Sequence, residues 1–261
     1  MRWLGLFLCS IALAMPLSEA LAETVQFVAC PVYRDTDAGR KSGCWLSDDP
    51  STGQRFDVSL APTKPDWNRA ILVEGRFAKD QVNSCGGKVL DPVRVSVLDQ
   101  PCVRAMIPAE GFPGRKFVLP ERNVRPLYVK RKPLATPHVP QDYFIPFDFG
   151  SDFVSYQLAD YYLDQAIEYA LETNARRIDI VGFASTRPMF VSGMELVEPA
   201  QIAEARAKRV REWMRLRGVP MNRVNVSWEM DAQPIVDAAF DGLTEPSFRR
   251  AEIRVTPATA E

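Results

Sequence analysis

The sequence predicts an α+β protein of two folded units, a small all-β unit followed by a β-α-β-α-β-β sandwich. Three observations carry that prediction. Residues 23–107 alternate apolar and polar side chains in short runs broken by turn signals, the period of half-buried strands. Residues 108–142 are punctuated by prolines at 108, 113, 120, 126, 133, 137 and 140, which fix φ and forbid regular pairing. From 143 onward, apolar residues at three- and four-residue spacing alternate with short apolar strands.

The first 22 residues read as a secretory signal peptide. Arg2 gives a positive start, Leu4 to Met15 an apolar run, and Ala20-Leu21-Ala22 a small-residue cleavage site. The run is too short for a permanent span, and no later run reaches spanning length, so no transmembrane segment is expected in the mature chain. A lipoprotein signal would place a small residue before its cysteine; Leu8 precedes Cys9. Apolar residues make up 46% of the 261, enough for a globular core. The formal net charge of −1 gives a nucleic-acid partner no electrostatic support.

Behind the leader stand Cys30, Cys44, Cys85 and Cys102, an even set that points to disulfides in an exported chain. No spacing is C-x-x-C and the sole histidine is His138, so no metal or other cofactor is expected. Four cysteines allow three pairings. The shortest loops favour Cys30–Cys44 and Cys85–Cys102.

In the β unit, 23–107, Val25, Phe27 and Ala29 alternate, and Trp45-Leu46 leads into the dense turn Asp48 to Gly53 before Phe56, Val58 and Leu60 alternate again. Ala70 to Phe77 is the most apolar strand, Val93, Val95 and Val97 form another, and a last strand carries Cys102 to Ile107. Five or six short strands in this length make a small barrel or sandwich. The D-x-x-T-G hairpin followed by V-E-G-x-F resembles the small bacterial OB-fold barrels. That resemblance implies an aromatic binding face, for which Trp45, Trp67 and Phe77 are candidates; core or rim packing is the simpler reading. The segment 108–142 is then an extended connector whose Lys130, Arg131 and Lys132 are solvated. His138 sits in it as a lone exposed histidine without a catalytic setting.

In the second unit, 143–257, Tyr143 to Phe149 forms the first strand. Val154, Leu158, Tyr161, Tyr162, Ile167, Ala170 and Leu171 mark one helix face to about Thr173, where Asn174 stops it. Ile178 to Phe183 is the second strand. A second helix starts near Pro199 and ends at Gly218, with Ile202, Ala205, Val210, Trp213, Met214 and Arg217 inward. Strands from Arg223 to Trp228 and Arg250 to Thr256 flank a variable loop, 229–248.

The aromatic first strand, Gly182-Phe183-Ala184-Ser185, the helix bearing Arg206-Ala207 and the ending Arg249-Arg250-Ala251-Glu252-Ile253 resemble the C-terminal domain of the outer-membrane protein A (OmpA) family, shared with flagellar stator proteins. The resemblance implies a non-enzymatic periplasmic protein, associated with the outer membrane or wall, that binds the peptidoglycan stem peptide. In the family, an Asp after the second strand holds the ligand's ammonium, and an Arg on the second helix forks onto its carboxylate. Here Ser185 stands at the Asp position, Arg206 is retained, and the loop between them is about six residues longer, with Met189-Phe190-Val191 inserted. Ser185, Arg206, Arg249 and Arg250 are the candidate ligand contacts, with Glu195 or Glu198 as a replacement carboxylate. Three readings follow: wall binding through such a glutamate, binding of an altered stem end, or an envelope scaffold in which wall binding is lost. In the last, the N-terminal unit docks envelope proteins. No carboxylate spacing identifies a hydrolase.

Overall fold

The computed structural model describes residues 24–37, 42–81, 85–114, 134, 136–156 and 158–258. The expected leader and the basic set at 130–132 lie outside them. Seven strands build the N-terminal unit: β1 (Thr24–Ala29), β2 (Pro31–Arg34), β3 (Cys44–Asp48), β4 (Arg55–Asp57), β5 (Arg69–Phe77), β6 (Lys88–Pro101) and β7 (Ala105–Ile107). They pair in the order β1-β5-β6-β4-β3-β2-β7. The β3–β4 hairpin turns where the sequence places it, with the Asp49 carboxylate accepting from the Ser51 amide and from the Ser51 and Thr52 hydroxyls.

β5 reads as a continuous apolar run because both of its faces are buried. Ile71 and Val73 join Phe27, Phe56, Val93 and Val95 in the core of this unit. Ala70 and Leu72 point the other way, toward the second unit, as do Val28 of β1 and Leu98 of β6. Period-two alternation thus divides β1, β5 and β6 into a core face and a docking face.

Two expectations are corrected here. The pairing is open from β1 to β7, so no closed barrel forms. β1 pairs with β5 and β2 with β3, and the chain changes partner at Cys30-Pro31, where proline has no N–H to give a ladder. The disulfides are Cys30–Cys102 and Cys44–Cys85. Strand pairing overrides loop length. Ala29 lies opposite Ile71 and Arg69 opposite Pro101, which brings Cys30 and Cys102 to one end of β5 with their Cα atoms 5.7 Å apart. The one cluster of metal-ligand types among the described residues, Cys44, Asp57 and Cys85, has its two sulfurs joined to each other.

The second unit comprises β8 (Gln141–Pro146), α1 (Ala159–Glu172), β9 (Arg177–Ala184), the hairpin β10 (Met189–Val191) and β11 (Met194–Leu196), α2 (Gln201–Leu216), β12 (Val224–Met230), a short α3 (Thr244–Ser247) and β13 (Arg250–Thr256). Its four-stranded sheet runs β12-β9-β13-β8, with β12 parallel to β9 and β13 antiparallel to both neighbours. Ile180, Ile253, Leu163, Ile167, Val210 and Met214 fill the space between sheet and helices. α1 starts five residues later than the periodicity suggests; Val154 joins the core without being helical. Asn174, at φ 48°, stops α1 as expected. The insert at 189–191 is one strand of a hairpin rather than a loose loop. His138 is half-buried, not exposed, and its Nδ1 has no hydrogen-bond partner among the described residues. None of the described helices is long and apolar enough to cross a membrane.

Candidate functional site

The site is built where β9 ends, β8 exits and α2 crosses the sheet. Gly182 makes the crossing close. A Cβ there would lie 2.1 Å from the Ala203 carbonyl oxygen and 2.9 Å from the Ala207 nitrogen, so only glycine admits the helix at this distance. Arg206, one turn along α2, is carried into the interior and is fully buried.

A guanidinium has five N–H donors, and Arg206 has all five engaged. Nε donates to the Ser151 carbonyl at 3.0 Å, Nη1 to the Phe183 carbonyl at 2.7 Å and Nη2 to the Asp148 carbonyl at 3.1 Å. The remaining two form a fork onto the Glu198 carboxylate, with Nη1 at 2.9 Å and Nη2 on the other oxygen. Glu198 is buried as well and also accepts from the Gly150 and Ser185 amides, each at 2.8 Å. Burial pushes the Glu198 carboxyl up, but the charge and hydrogen bonds of Arg206, with Arg249 and the Ser185 amide, outweigh it and hold the group below the ordinary glutamate range. The carboxylate that meets Arg206 in this arrangement belongs to the chain itself.

The other candidates divide. Arg249 is buried against Glu74 of β5, across the junction of the two units, with Nη1 at 3.3 Å and a closer contact from Nη2. Burial opposes the Arg249 charge, but Glu74, Glu198 and Asp148 together hold it more firmly protonated than a free arginine. Arg250 turns to the opposite side, donating to Glu252 and to the Gln233 and Ser247 carbonyls, with its guanidinium 4.8 Å from the Phe183 ring. Ser185 is half-buried and serves Glu198 through its amide rather than its hydroxyl. Glu195 is exposed on β11, opposite Phe190, away from Arg206. Of the OB-type aromatics, Trp45 and Trp67 meet each other and Tyr33, while Phe77 packs on Phe56.

Several residues at this junction escape a reading of motifs alone. Arg94 reaches from β6 to the Asp241 carboxylate at 2.7 Å and the Ala239 carbonyl at 2.9 Å. Ser96 accepts from the Phe149 amide at 2.8 Å, and Thr63 donates to Asp148 at 2.6 Å. Burial raises the Asp148 carboxyl above its ordinary range despite Thr63, Arg94 and Arg249. Ser192 in the β10–β11 turn accepts from the Val28 amide at 3.0 Å. Val191 and Leu196 of the hairpin pack on Val28, Ala70, Leu72 and Leu98. A signal did exist for one of them: Glu74 follows the run Ala70 to Val73 and shares parity with Ala70 and Leu72, a charge on a face otherwise apolar.

The order of strands and helices in the second unit, with Arg206 on α2 and Arg250 opening β13, is the arrangement that the resemblance in the sequence predicts. Among solved structures, the chain is similar to the peptidoglycan-associated lipoprotein from Burkholderia pseudomallei, at 23% identity over 44% of this chain and 90% of that one, TM-score 0.34. It is also similar to a putative MotB-like protein from Desulfovibrio vulgaris (14% identity, 46% of this chain and 76% of that one, TM-score 0.35) and to the cell wall anchor of the T6SS from Pseudomonas aeruginosa (18%, 46% and 83%, TM-score 0.35). No family model and no curated protein matches.

Proposed function

We propose that this chain is a non-enzymatic protein of the cell envelope, exported to the periplasm, whose OmpA-like unit acts as a protein scaffold rather than as a wall anchor. The observation that carries the reading is the saturation of Arg206 by Glu198 and three carbonyls. A stem-peptide carboxylate would need the same fork. It would have to displace a buried ion pair whose disruption costs about 3–5 kcal/mol. The N-terminal unit supports the scaffold reading, since its β1-β5-β6 face is docked on the second unit beside that pocket. That unit is read as OB-like. The pairing of β1 with β5 and of β2 with β3, on either side of Cys30, supports that reading.

Co-sedimentation with purified sacculi tests the reading. Wild type and Arg206→Ala are both expected to remain in the supernatant, while photo-crosslinking in cells captures a protein. Retention of wild type that is lost in Arg206→Ala would overturn the proposal in favour of wall binding, the reading that the position of Arg206 supports.

A further inference from the structure

On the solvent side of Ser185 a groove of about 200 Å³ opens, lined by Ser185, Arg187, Pro188, Met189, Glu245 and Phe248. Neither Glu198 nor Arg206 lines this groove, which is therefore distinct from their buried ion pair. Its walls are chemically unequal. Phe248 and Met189 are half-buried apolar surfaces. The half-buried Glu245 carboxylate accepts no hydrogen bond among the described residues, and neither does the Ser185 hydroxyl. The Arg187 guanidinium rests over the Phe248 ring at 5.5 Å, a cation supplied by the chain itself.

We infer that this groove is a seat for a basic side chain, a lysine-type alkylammonium or a guanidinium, presented by a partner protein. The aromatic face and the carboxylate are the two elements that hold a cation, and Arg187 over Phe248 shows that the ring takes one. An incoming ammonium displaces Arg187 toward solvent, lies over Phe248 and donates to Glu245 and the Ser185 hydroxyl. Burial and the neighbouring Glu74 push the Glu245 carboxyl above its ordinary range, against Arg249 and Arg187, so the carboxylate favours a cation in this groove and an incoming one takes over the place of Arg187. The volume is below the roughly 300 Å³ at which pockets for drug-sized ligands begin, which fits one side chain rather than a folded ligand. The inference rests on the scaffold reading and names what the partner's surface must carry.

The test is an amide-resolved NMR titration of the full chain with blocked lysine, N-acetyl-lysine methylamide, against the uncharged blocked norleucine. Saturable shifts at Ser185, Arg187, Glu245 and Phe248 with the first probe alone are expected. Glu245→Gln should weaken that binding about tenfold through loss of a charged hydrogen bond. Arg187→Ala, which removes the resident cation, should tighten it. Equal shifts with both probes, no shifts, or an affinity unchanged by Glu245→Gln would overturn the seat. The sacculus experiment does not involve this groove, so the two proposals fail separately.

Discussion

At the residue scale, Arg206 and Glu198 form a buried ion pair in which every guanidinium N–H is engaged. A buried arginine is tolerable only when every donor is met, and here its partners are three backbone carbonyls and a carboxylate that is itself held by two amides. Glu198→Gln keeps the shape and removes the charge, and is expected to cost about 3 kcal/mol at pH 7, measured by urea unfolding. The pH dependence has a definite sign. The folded carboxyl lies below its unfolded value of about 4.3, so its stabilisation is complete above that pH. It is lost as pH falls through the lowered folded value. The gap between wild type and Glu198→Gln should therefore be constant from pH 7 to 5 and close below about 4. A gap that widens on acidification would contradict the charge assignment.

At the element scale, the β9–α2 crossing and the β10–β11 hairpin set the site. Gly182 is required by close approach, not by its turn or its φ: a methyl group would meet helix backbone that has no way to yield. Gly182→Ala is expected to cost about 3 kcal/mol, the upper range for overpacking, with a matching fall in Tm. An unchanged Tm would mean that α2 slides freely over the sheet. The hairpin explains the long loop between Ser185 and Arg206. Its inner residues, Val191 and Leu196, are buried against the N-terminal unit while Phe190 stays in solvent. The sequence marks the insert as apolar, but strand formation there follows from a surface on the other unit that local pattern does not describe.

At the scale of the whole molecule, the two units share a buried, charged interface. Glu74 and Arg249 are separated by 175 residues and both are almost wholly buried. Removing one partner leaves an uncompensated charge, so Glu74→Ala should lose about 3–5 kcal/mol in chemical denaturation. The double change Glu74→Leu with Arg249→Met should recover most of it, because an apolar pair of similar shape needs no desolvated charge. If the single and double variants were equally unstable, packing rather than charge would hold the interface. The same interface limits what was legible in the sequence. β13 begins and ends where its pattern indicates, at Arg250 and Thr256, and α1 stops at Asn174. That the four cysteines form disulfides was legible; their pairing was not, because loop length carries no information about which strand ends meet.

By itself the sequence determined the α+β class and the four sheet strands and two long helices of the second unit. These follow from periodicity, turn chemistry and spacing, all of which are local. Only the tertiary structure decided that Glu198 faces Arg206, that Glu74 faces Arg249, and that Cys30 meets Cys102. Partners of that kind are selected by burial: a charge taken from water must find its counterpart among whatever side chains the packing brings within reach, however far away they lie in the chain.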